Sequence, residues 1–484
     1  MADKDNRYST SAVKKMSECH VSIGGKTSIA KPKFDRWRDL NKAIIDWINN
    51  DAIEETSVKI AERNNFQFYD PIQKKILSDL FSRFRSIYPK RIYSFNHEYI
   101  SKEIEKEING ETYGITTHFT YEFEDEGHYE FLRLKTAHDP APGLIDLAIM
   151  TKLKEENEEF YTAALELDDL MDIDLIDNPD EVIDEHFDII ESYVYNRQKK
   201  TPGNHCDFCD QASRCGQFPV INTNIKMNRN IREVKISKTN LVKLSKCERR
   251  TAWNVQYGLP REDLIEFESE SNATKFHKYS QQMLVGNENY YEDENIEDFQ
   301  KLTVNEDGVT QEELFKKYKY LVSKLTNYEN LVIKEAEYIL GFTLVVEGKG
   351  EKKGKIVDQK VATIFNGKSD LAGRVGEAPI IIELKTRPEM DEDAIEAELY
   401  ALGASSIMKS EEEIIVLHIY VSEHDAEVKE RRFGPSEIES AKAKFENIAN
   451  KPASWIPFDA LSPKYTVGDW CQMCEFKNTC SEYR

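Results

Sequence analysis

Eight cysteines stand in two sets of the same pattern, one cysteine followed much later by three at fixed spacing. This repeat restricts the chain to folds built from two similar units. Each set opens with one cysteine that follows a helix start rich in serine and threonine, and closes with Cys-x2-Cys-x5-Cys. The sets are Cys19, Cys206, Cys209 and Cys215 in the first half and Cys247, Cys471, Cys474 and Cys480 in the second. The repeat predicts a tandem duplication, with one unit over residues 1–225 and the other over 226–484.

The rest of the composition indicates what these cysteines bind. The chain begins Met-Ala-Asp-Lys-Asp, without the apolar segment of a signal peptide, and its longest apolar runs are only as long as a strand. We therefore expect a cytoplasmic protein without a membrane-spanning segment. Disulfides are rare in that compartment, so each set of cysteines is predicted to bind a metal.

The stretch Gly367–Arg387 carries the most informative group of charged residues. It is predicted to form a strand with Asp370, a turn that contains glycine, and an apolar strand, Ile380–Leu384. Because side chains alternate along a strand, Glu383 and Lys385 point to one face, and the hairpin brings Asp370 beside them. Two carboxylates and a lysine suit a divalent cation and a polarised water, which predicts a metal-dependent phosphodiesterase. The alternative is an ordinary pair of solvent-facing charges.

The hydrophobic periodicity predicts an α/β fold, with strands and helices in both halves. Predicted helices cover 37–63, 71–87, 144–156, 168–198, 237–247, 274–284, 311–326, 391–402 and 436–448. Predicted strands cover 113–124, 129–136, 161–167, 330–347 and 414–421, besides the hairpin described above, and a basic turn is predicted over 348–355.

The second half, from about residue 237 to the end, resembles a RecB-type nuclease of the PD-(D/E)XK superfamily. It is most similar to the four-cysteine branch shared by CRISPR-associated adaptation nucleases and AddB-type repair subunits. The residues that carry the resemblance are Cys247-Glu-Arg-Arg-Thr-Ala-Trp253, His277 on a helix, Gly367-Lys-Ser-Asp370, Glu383-Leu-Lys385-Thr386, and the cysteines 471, 474 and 480. The family's Gln-x3-Tyr helix appears as Glu396-Ala-Glu-Leu-Tyr400, with glutamate in place of glutamine.

The resemblance implies a fold, a site and two cofactors. The fold would be two tandem restriction-endonuclease-like domains, each a mixed central sheet flanked by helices and closed by a four-cysteine cluster. Mg²⁺ or Mn²⁺ would be held by His277, Asp370, Glu383 and the Leu384 carbonyl. Lys385 would orient the attacking water, and Glu396 with Tyr400 would position the DNA. Cys247, Cys471, Cys474 and Cys480 would ligate an iron–sulfur cluster of the four-iron type, with zinc as the alternative.

The first half repeats this frame without the catalytic residues. Its segment Tyr129-Glu-Phe-Leu-Arg133-Leu-Lys135-Thr136 resembles Ile380–Thr386, but Arg133 stands where the second half has Glu383. Aligned on Gly114, the position of Asp370 falls on Thr117 or His118. An arginine cannot hold a cation, so this copy is predicted to be inactive while keeping its own four-cysteine cluster. The alternative is a rearranged site built from Asp146 and Glu166, in which Asp168 replaces the lysine.

Charge and the remaining motifs limit the function further. The net charge of −23 opposes phosphate binding, although basic clusters remain at 349–360 and at Arg249-Arg250. No Walker-type phosphate-binding motif occurs, so any unwinding would need a helicase partner. The leading hypothesis is a metal-dependent DNA nuclease that acts on single strands or ends in repair, recombination or defence against foreign DNA. The rival hypothesis is a non-catalytic iron–sulfur or zinc scaffold that binds DNA or a helicase.

Overall fold

The chain forms two mixed sheets with helices packed on them, one from each half of the sequence. This computed structural model describes residues 6–20, 71–87, 94–135, 141–164, 169–259, 272–303, 312–352, 355–408 and 413–482, apart from short gaps inside these ranges, and a few residues between 40 and 47. The predicted helix 37–63 lies largely outside the described residues, as do Glu166 and Asp168 of the alternative first-half site.

The first sheet contains an early strand and five later ones among the described residues. The strands are β1 (Arg7–Ser9), β2 (Ser94–Ile108), β3 (Glu111–Asp125), β4 (His128–Lys135), β5 (Glu158–Ala164) and β6 (Asp169–Asp172). Their order is β1-β3-β4-β5-β6, and β2 also pairs with β3. The helices packed on it are α1 (Thr10–Glu18), α2 (Pro71–Ile87), α3 (Leu144–Leu153) and α4 (Pro179–Tyr195).

The second sheet has the same plan. Its strands are β7 (Arg232–Ser237), β8 (Leu331–Lys352), β9 (Lys355–Val375), β10 (Ala378–Lys385), β11 (Ile414–Val421) and β12 (Ala426–Phe433). Their order is β7-β9-β10-β11-β12, and β8 also pairs with β9. The helices of this half are α5 (Lys238–Lys246), α6 (Glu248–Val255), α7 (Asn272–Leu284), α8 (Asp293–Leu302), α9 (Glu312–Leu325), α10 (Glu392–Met408) and α11 (Pro435–Ser454).

The two sheets repeat in register as well as in order. Two cross-strand pairs recur at equivalent positions, Ser9–Thr116 as Ser237–Asn366 and Tyr121–Leu132 as Leu371–Ile382. On the two central strands, each residue of the first sheet therefore corresponds to the residue 250 positions later (371 − 121 and 382 − 132). The predicted α/β class with two tandem units is confirmed, while the bounds 1–225 and 226–484 stay a prediction.

Strand β10 divides its side chains between two layers. Ile380, Ile382 and Leu384 pack with helices α7–α9, whereas Ile381 packs against helix α10. Because side chains alternate, Glu383 lies on the α10 side with Ile381. An apolar strand thus carries one carboxylate into the interior between sheet and helix.

Helix α10 is buried along most of its length, which brings polar residues inside. Leu399 and Leu402 pack into one apolar cluster of the second sheet, and Ala397 and Ala401 pack into another. The helix lies close to β8 because Gly403 has no Cβ; a Cβ there would be 2.7 Å from a backbone nitrogen of that strand. This close packing fixes where its buried polar side chains can reach.

The predicted elements that differ do so for local reasons. The turn expected over 348–355 is mostly strand, since the hairpin pairing continues to Lys352–Lys355 and is flanked by the ion pairs Lys349–Asp358 and Lys360–Glu347. The helix expected over 168–198 begins only at Pro179, because β6 adds a strand to the sheet edge first. Strand β12 and helices α6 and α8 were not predicted. Within the described ranges, every helix is too short or too polar to cross a membrane.

Candidate active site

Glu383 is the centre of a buried polar group between β10 and α10. Its side chain is 4% exposed. Lys385 on the same strand places its Nζ 3.0 Å from Glu383 Oε1, which confirms that the two side chains share a face. The Tyr400 hydroxyl, from α10, lies 2.8 Å from Glu383 Oε2. The three residues predicted from two separate motifs therefore meet at one point.

Glu396 binds the catalytic lysine candidate from the helix side. Lys385 Nζ lies 3.0 Å from one oxygen of Glu396 and 2.9 Å from the other. Glu396 is itself buried, and it accepts hydrogen bonds from Lys385, Lys238 and the Tyr400 hydroxyl. The Glu396 carboxylate thus fixes the position of the Lys385 ammonium.

Lys238 is a second ammonium in the site, and the sequence analysis missed it. It is the first residue of α5 and follows directly after β7, which pairs in parallel with β9. Its Nζ lies 2.7 Å from Glu383 Oε1 and 3.1 Å from Glu396 Oε1. The only sequence signal for it is a lysine just after the serine that caps α5, and that signal has meaning only once the β7–β9 pairing is known.

Asp370 and His277 form the other side of the site. His277 Nδ1 lies 2.9 Å from Asp370 Oδ1, so the predicted helical histidine does reach the hairpin. The second Asp370 oxygen accepts a 2.7 Å hydrogen bond from the Leu384 backbone N–H. Gln281, one turn after His277 on α7, lies 3.5 Å from Asp370 Oδ1. Asp370 is therefore fixed by strand β10 and by helix α7.

The charges of the site act on one another strongly. Burial, then the Asp370 carboxylate, raise the pKa of Glu383 to about 7, although Lys238 and Lys385 pull it down. Burial would also raise the pKa of Glu396, but His418 and the two lysines outweigh it and hold that pKa far below its usual range. Glu383 and Asp370 together thus carry a surplus of negative charge that a bound cation would relieve.

The donor types of the predicted metal site fit a hard divalent cation. An imidazole nitrogen and two carboxylates from His277, Asp370 and Glu383 are ligands that Mg²⁺ or Mn²⁺ accepts. Among the described residues, however, the three side chains whose ligand atoms lie within 4.8 Å of one another are Asp393, Glu396 and His418. The Glu383 carboxylate is instead held toward Lys238 and Tyr400.

The Asp393, Glu396 and His418 group is an ion-pair network and not a vacant metal site. Arg387 donates two hydrogen bonds to Asp393, of 3.0 and 2.5 Å, and the Tyr420 hydroxyl lies 3.0 Å from it. Lys385 occupies both oxygens of Glu396. The carboxylates therefore already have cationic partners, and the network holds the Lys385 ammonium in place through Glu396.

The four cysteines of the second set lie together at the surface of the second unit. Cys247, Cys471, Cys474 and Cys480 line one open cavity. The arginines after Cys247 fix the C-terminal segment beside it: Arg249 donates to the carbonyls of Leu461 and Pro463, and Arg250 pairs with buried Glu475 at 2.5 Å. Ion pairs and hydrogen bonds thus hold the two ends of the second unit together at the cysteines.

The first set of cysteines also lines one open cavity, formed with Lys200, Pro202 and His205 among others. Burial raises the pKa of Cys206 to about 11, and Cys206 packs against Ile339 and Ile364 of the second sheet. The segment that follows continues along β8, where the Thr343 N–H donates to the Pro219 carbonyl. None of the eight cysteines, all of which lie in the described part of the chain, is in a disulfide.

The first copy fills its equivalent site with an internal ion pair. Arg133 donates a 2.7 Å hydrogen bond to Asp146, and both side chains are buried. Thr10 and Thr117 donate to the same carboxylate oxygen at 2.9 and 2.6 Å. These hydroxyls and the guanidinium outweigh the effect of burial and lower the pKa of Asp146. In the alternative rearranged site, Asp146 is therefore already bound through Oδ1 to Arg133, Thr10 and Thr117.

The residue equivalent to Asp370 in the first copy is Thr120, not Thr117 or His118 as the alignment on Gly114 predicted. The Thr120 hydroxyl accepts a 3.0 Å hydrogen bond from the Leu134 N–H, just as Asp370 accepts one from Leu384. Both positions differ by 250 residues (370 − 120 and 384 − 134), in agreement with the sheet register. The alignment failed because it paired two glycines that are not structurally equivalent.

Comparison with known proteins gives similarity to solved structures alone, since neither a protein-family model nor a curated protein matches the chain. A putative exonuclease from Eubacterium rectale shares 10% identity over 44% of this chain and 77% of its own, with a TM-score of 0.26. The protein SSO0001 shares 14% identity over 54% of this chain and 91% of its own, with a TM-score of 0.21. Similarity this low carries no functional assignment, so function is inferred from the site.

Replacing Arg133 with methionine should destabilise the first unit by about 3–5 kcal/mol, because Asp146 is left buried without its cation. Urea unfolding of the full chain measures this. The double variant Arg133→Met, Asp146→Leu should recover most of the loss, since both charges are removed together. Lys106→Met, which breaks an exposed ion pair with Asp184, is the matched control and should change little. A loss below about 1 kcal/mol for Arg133→Met would contradict the internal ion pair.

In the metal-free protein, Glu383→Gln should remove a loss of stability that wild type shows as the pH rises. A carboxyl whose pKa is higher folded than unfolded gives stability below its unfolded pKa and loses it as the pH rises through its folded pKa. For Glu383 that window runs from 4.5 to about 7. Relative to wild type, the variant should therefore gain on the order of 2–3 kcal/mol between about pH 5 and pH 8. Denaturant unfolding at both pH values checks this, with the exposed Glu377→Gln on the same hairpin as the control.

Proposed function

We propose that the chain is a Mg²⁺- or Mn²⁺-dependent nuclease that hydrolyses DNA phosphodiester bonds at the site formed by Asp370, Glu383 and Lys385. The observation that carries the proposal is Glu383, a buried carboxylate whose pKa is raised to about 7 beside Asp370 and within 3.0 Å of the Lys385 ammonium. Burying a surplus carboxylate costs stability, so its presence is best explained by chemistry that needs it.

The residues of the site have separate tasks in this proposal. His277, Asp370, Glu383 and the Leu384 carbonyl would hold the metal, which would polarise a water and offset the charge that develops on the phosphate. The hydrogen bond from the Leu384 N–H keeps Asp370 in place. Lys385, held by both oxygens of Glu396, presents its ammonium to the attacking water and the phosphate. Tyr400, buried behind Glu383, orients that carboxylate.

Only the second copy would be catalytic. In the first copy, Thr120 stands at the position of Asp370 and Arg133 at the position of Glu383. The Arg133 guanidinium, bonded to Asp146, already lies between strand β4 and helix α3. The first copy would then serve to hold DNA or to dock a partner such as a helicase. Single strands or DNA ends are the proposed substrates, and repair, recombination or defence against foreign DNA the proposed setting in the cytoplasm.

Each cysteine set would bind an iron–sulfur cluster, with zinc as the alternative. Each set places four thiols around one cavity, and four thiolates are the ligands that a four-iron cluster and a structural zinc ion both use. The resemblance to the four-cysteine nuclease branch is the reason to propose the cluster.

Glu383→Ala and Lys385→Ala should each reduce cleavage of labelled DNA by about a hundredfold or more with Mn²⁺ present, because they remove a metal ligand and a stabilising cation. Single-stranded and double-stranded substrates, with free and blocked ends, are assayed in parallel. Glu377→Ala, an exposed glutamate of the β9–β10 turn, is the matched control. No cleavage by wild type, or equal cleavage by the variants, would favour the non-catalytic scaffold.

Anaerobically purified protein should be brown and contain iron and sulfide at two clusters per chain if both sets are occupied. Cys474→Ala should lower the iron content by about half, because it removes one of four thiolates from one site only. Cys209→Ala should do the same for the other site. Elemental analysis with the visible absorption spectrum measures both. Colourless protein that contains zinc and no iron would overturn the cluster proposal.

A further inference from the structure

Lys238 gives the proposed metal site a cation of its own. Its Nζ lies 2.7 Å from Glu383 Oε1, 3.1 Å from Glu396 Oε1 and 2.9 Å from the Tyr400 hydroxyl. It also donates to the Lys368 carbonyl on β9 at 3.3 Å. An ammonium ion has three N–H donors, and these four acceptors surround it, so every N–H has an acceptor within the protein. The group is therefore held inside the site and is not a surface charge that passes by.

The contacts of Lys238 occupy the carboxylate that the metal would need. Glu383 Oε1 is bonded by both Lys238 and Lys385, and Oε2 by Tyr400. His277 and Asp370 bond to each other on the opposite side. Consistent with this, the ligand atoms of His277, Asp370 and Glu383 do not all three lie within 4.8 Å of one another, although those of His277 and Asp370 do. The predicted ligands thus surround a site in which one ligand is turned toward an internal ammonium.

The Lys238 ammonium changes the net charge of the site. With the carboxylates ionised, Asp370, Glu383 and Glu396 contribute three negative charges, and Lys238 and Lys385 contribute two positive charges. The site without Lys238 would carry one more negative charge against the same ligands. Because charges a few ångströms apart interact strongly in a buried site, the loss of that ammonium must favour a divalent cation.

The first copy shows that the fold does not require a lysine here. Ser9 caps α1 as Ser237 caps α5, so Thr10 is the equivalent of Lys238. Thr10 donates to Asp146, which stands where the second copy has Glu396. A neutral hydroxyl therefore suffices to link the helix start to the helix acid. The lysine belongs only to the copy that keeps Asp370, Glu383 and Lys385.

We propose that Lys238 is a positioning residue that takes the place of the divalent cation on Glu383 in the metal-free site and competes with the metal for that carboxylate. This inference rests on the proposed function. Lys238 keeps the two buried carboxylates paired when no metal is bound, and it weakens metal binding so that the site loads only where metal is abundant. When the metal binds, the Lys238 ammonium leaves Glu383 and stays on Glu396 and Tyr400.

The test is the affinity of the full chain for Mn²⁺, measured by electron paramagnetic resonance of the free ion at about pH 8, where free carboxylic acids are ionised. Lys238→Met should bind Mn²⁺ about tenfold more tightly than wild type, because it keeps the length of the side chain and removes the competing charge. Lys238→Thr, which installs the first-copy residue, should do the same. Lys238→Arg should stay near wild type, since it retains the charge.

The control on the same helix is Lys246→Met, which breaks a half-buried ion pair with Glu392 and should leave the affinity unchanged. Damage to the site can only weaken Mn²⁺ binding, so tighter binding by the variants cannot be caused by damage. Unchanged or weaker Mn²⁺ binding by both Lys238→Met and Lys238→Thr would overturn the inference. Glu383→Ala separates this from the proposed function. If wild type and Glu383→Ala bind Mn²⁺ alike, the metal site itself is refuted; if they differ and the lysine variants do not, only the role of Lys238 is refuted.

Discussion

The buried carboxylate of Glu383 is the constraint on which the rest of the second unit depends. An apolar strand carries it into the interior, where Lys385, Lys238 and Tyr400 surround it. Each of these partners comes from a different element or position, so β10, the start of α5 and the buried helix α10 must all be in place at once. The raised pKa of Glu383 records that this compensation is incomplete, and that incompleteness is what makes the site suited to a cation.

The duplicated frame shows two ways of satisfying the same position. In the first copy, Arg133 stands at the position of Glu383, and its guanidinium pairs with Asp146, so the charges cancel inside the protein. In the second copy the strand residue is acidic, and the cation must come from elsewhere. Lysines supply it in the metal-free state, and a divalent ion would supply it in the active one. Under the proposed function, the two copies differ in which element provides the positive charge.

The sequence predicted the local parts of this arrangement and missed those that depend on strand pairing. The alternation around Glu383, the hairpin from Asp370 and the helix of Glu396 and Tyr400 could be predicted, because each follows from spacing along one element. Lys238 could not, since it reaches the site only through the parallel pairing of β7 with β9, far apart in sequence. The same reason explains Thr120: a glycine match cannot define register, whereas the hydrogen bond from Leu134 does.

The most direct test of the account is anomalous diffraction at the manganese edge from crystals of the full chain equilibrated with Mn²⁺. One strong peak for each chain is predicted, in contact with His277, Asp370 and Glu383, with no peak beside Arg133 and Asp146. That result would show at once that the second copy holds the metal and that the first is closed by its internal ion pair. A peak at Asp146, or no peak at Asp370 and Glu383 at saturating Mn²⁺, would contradict it.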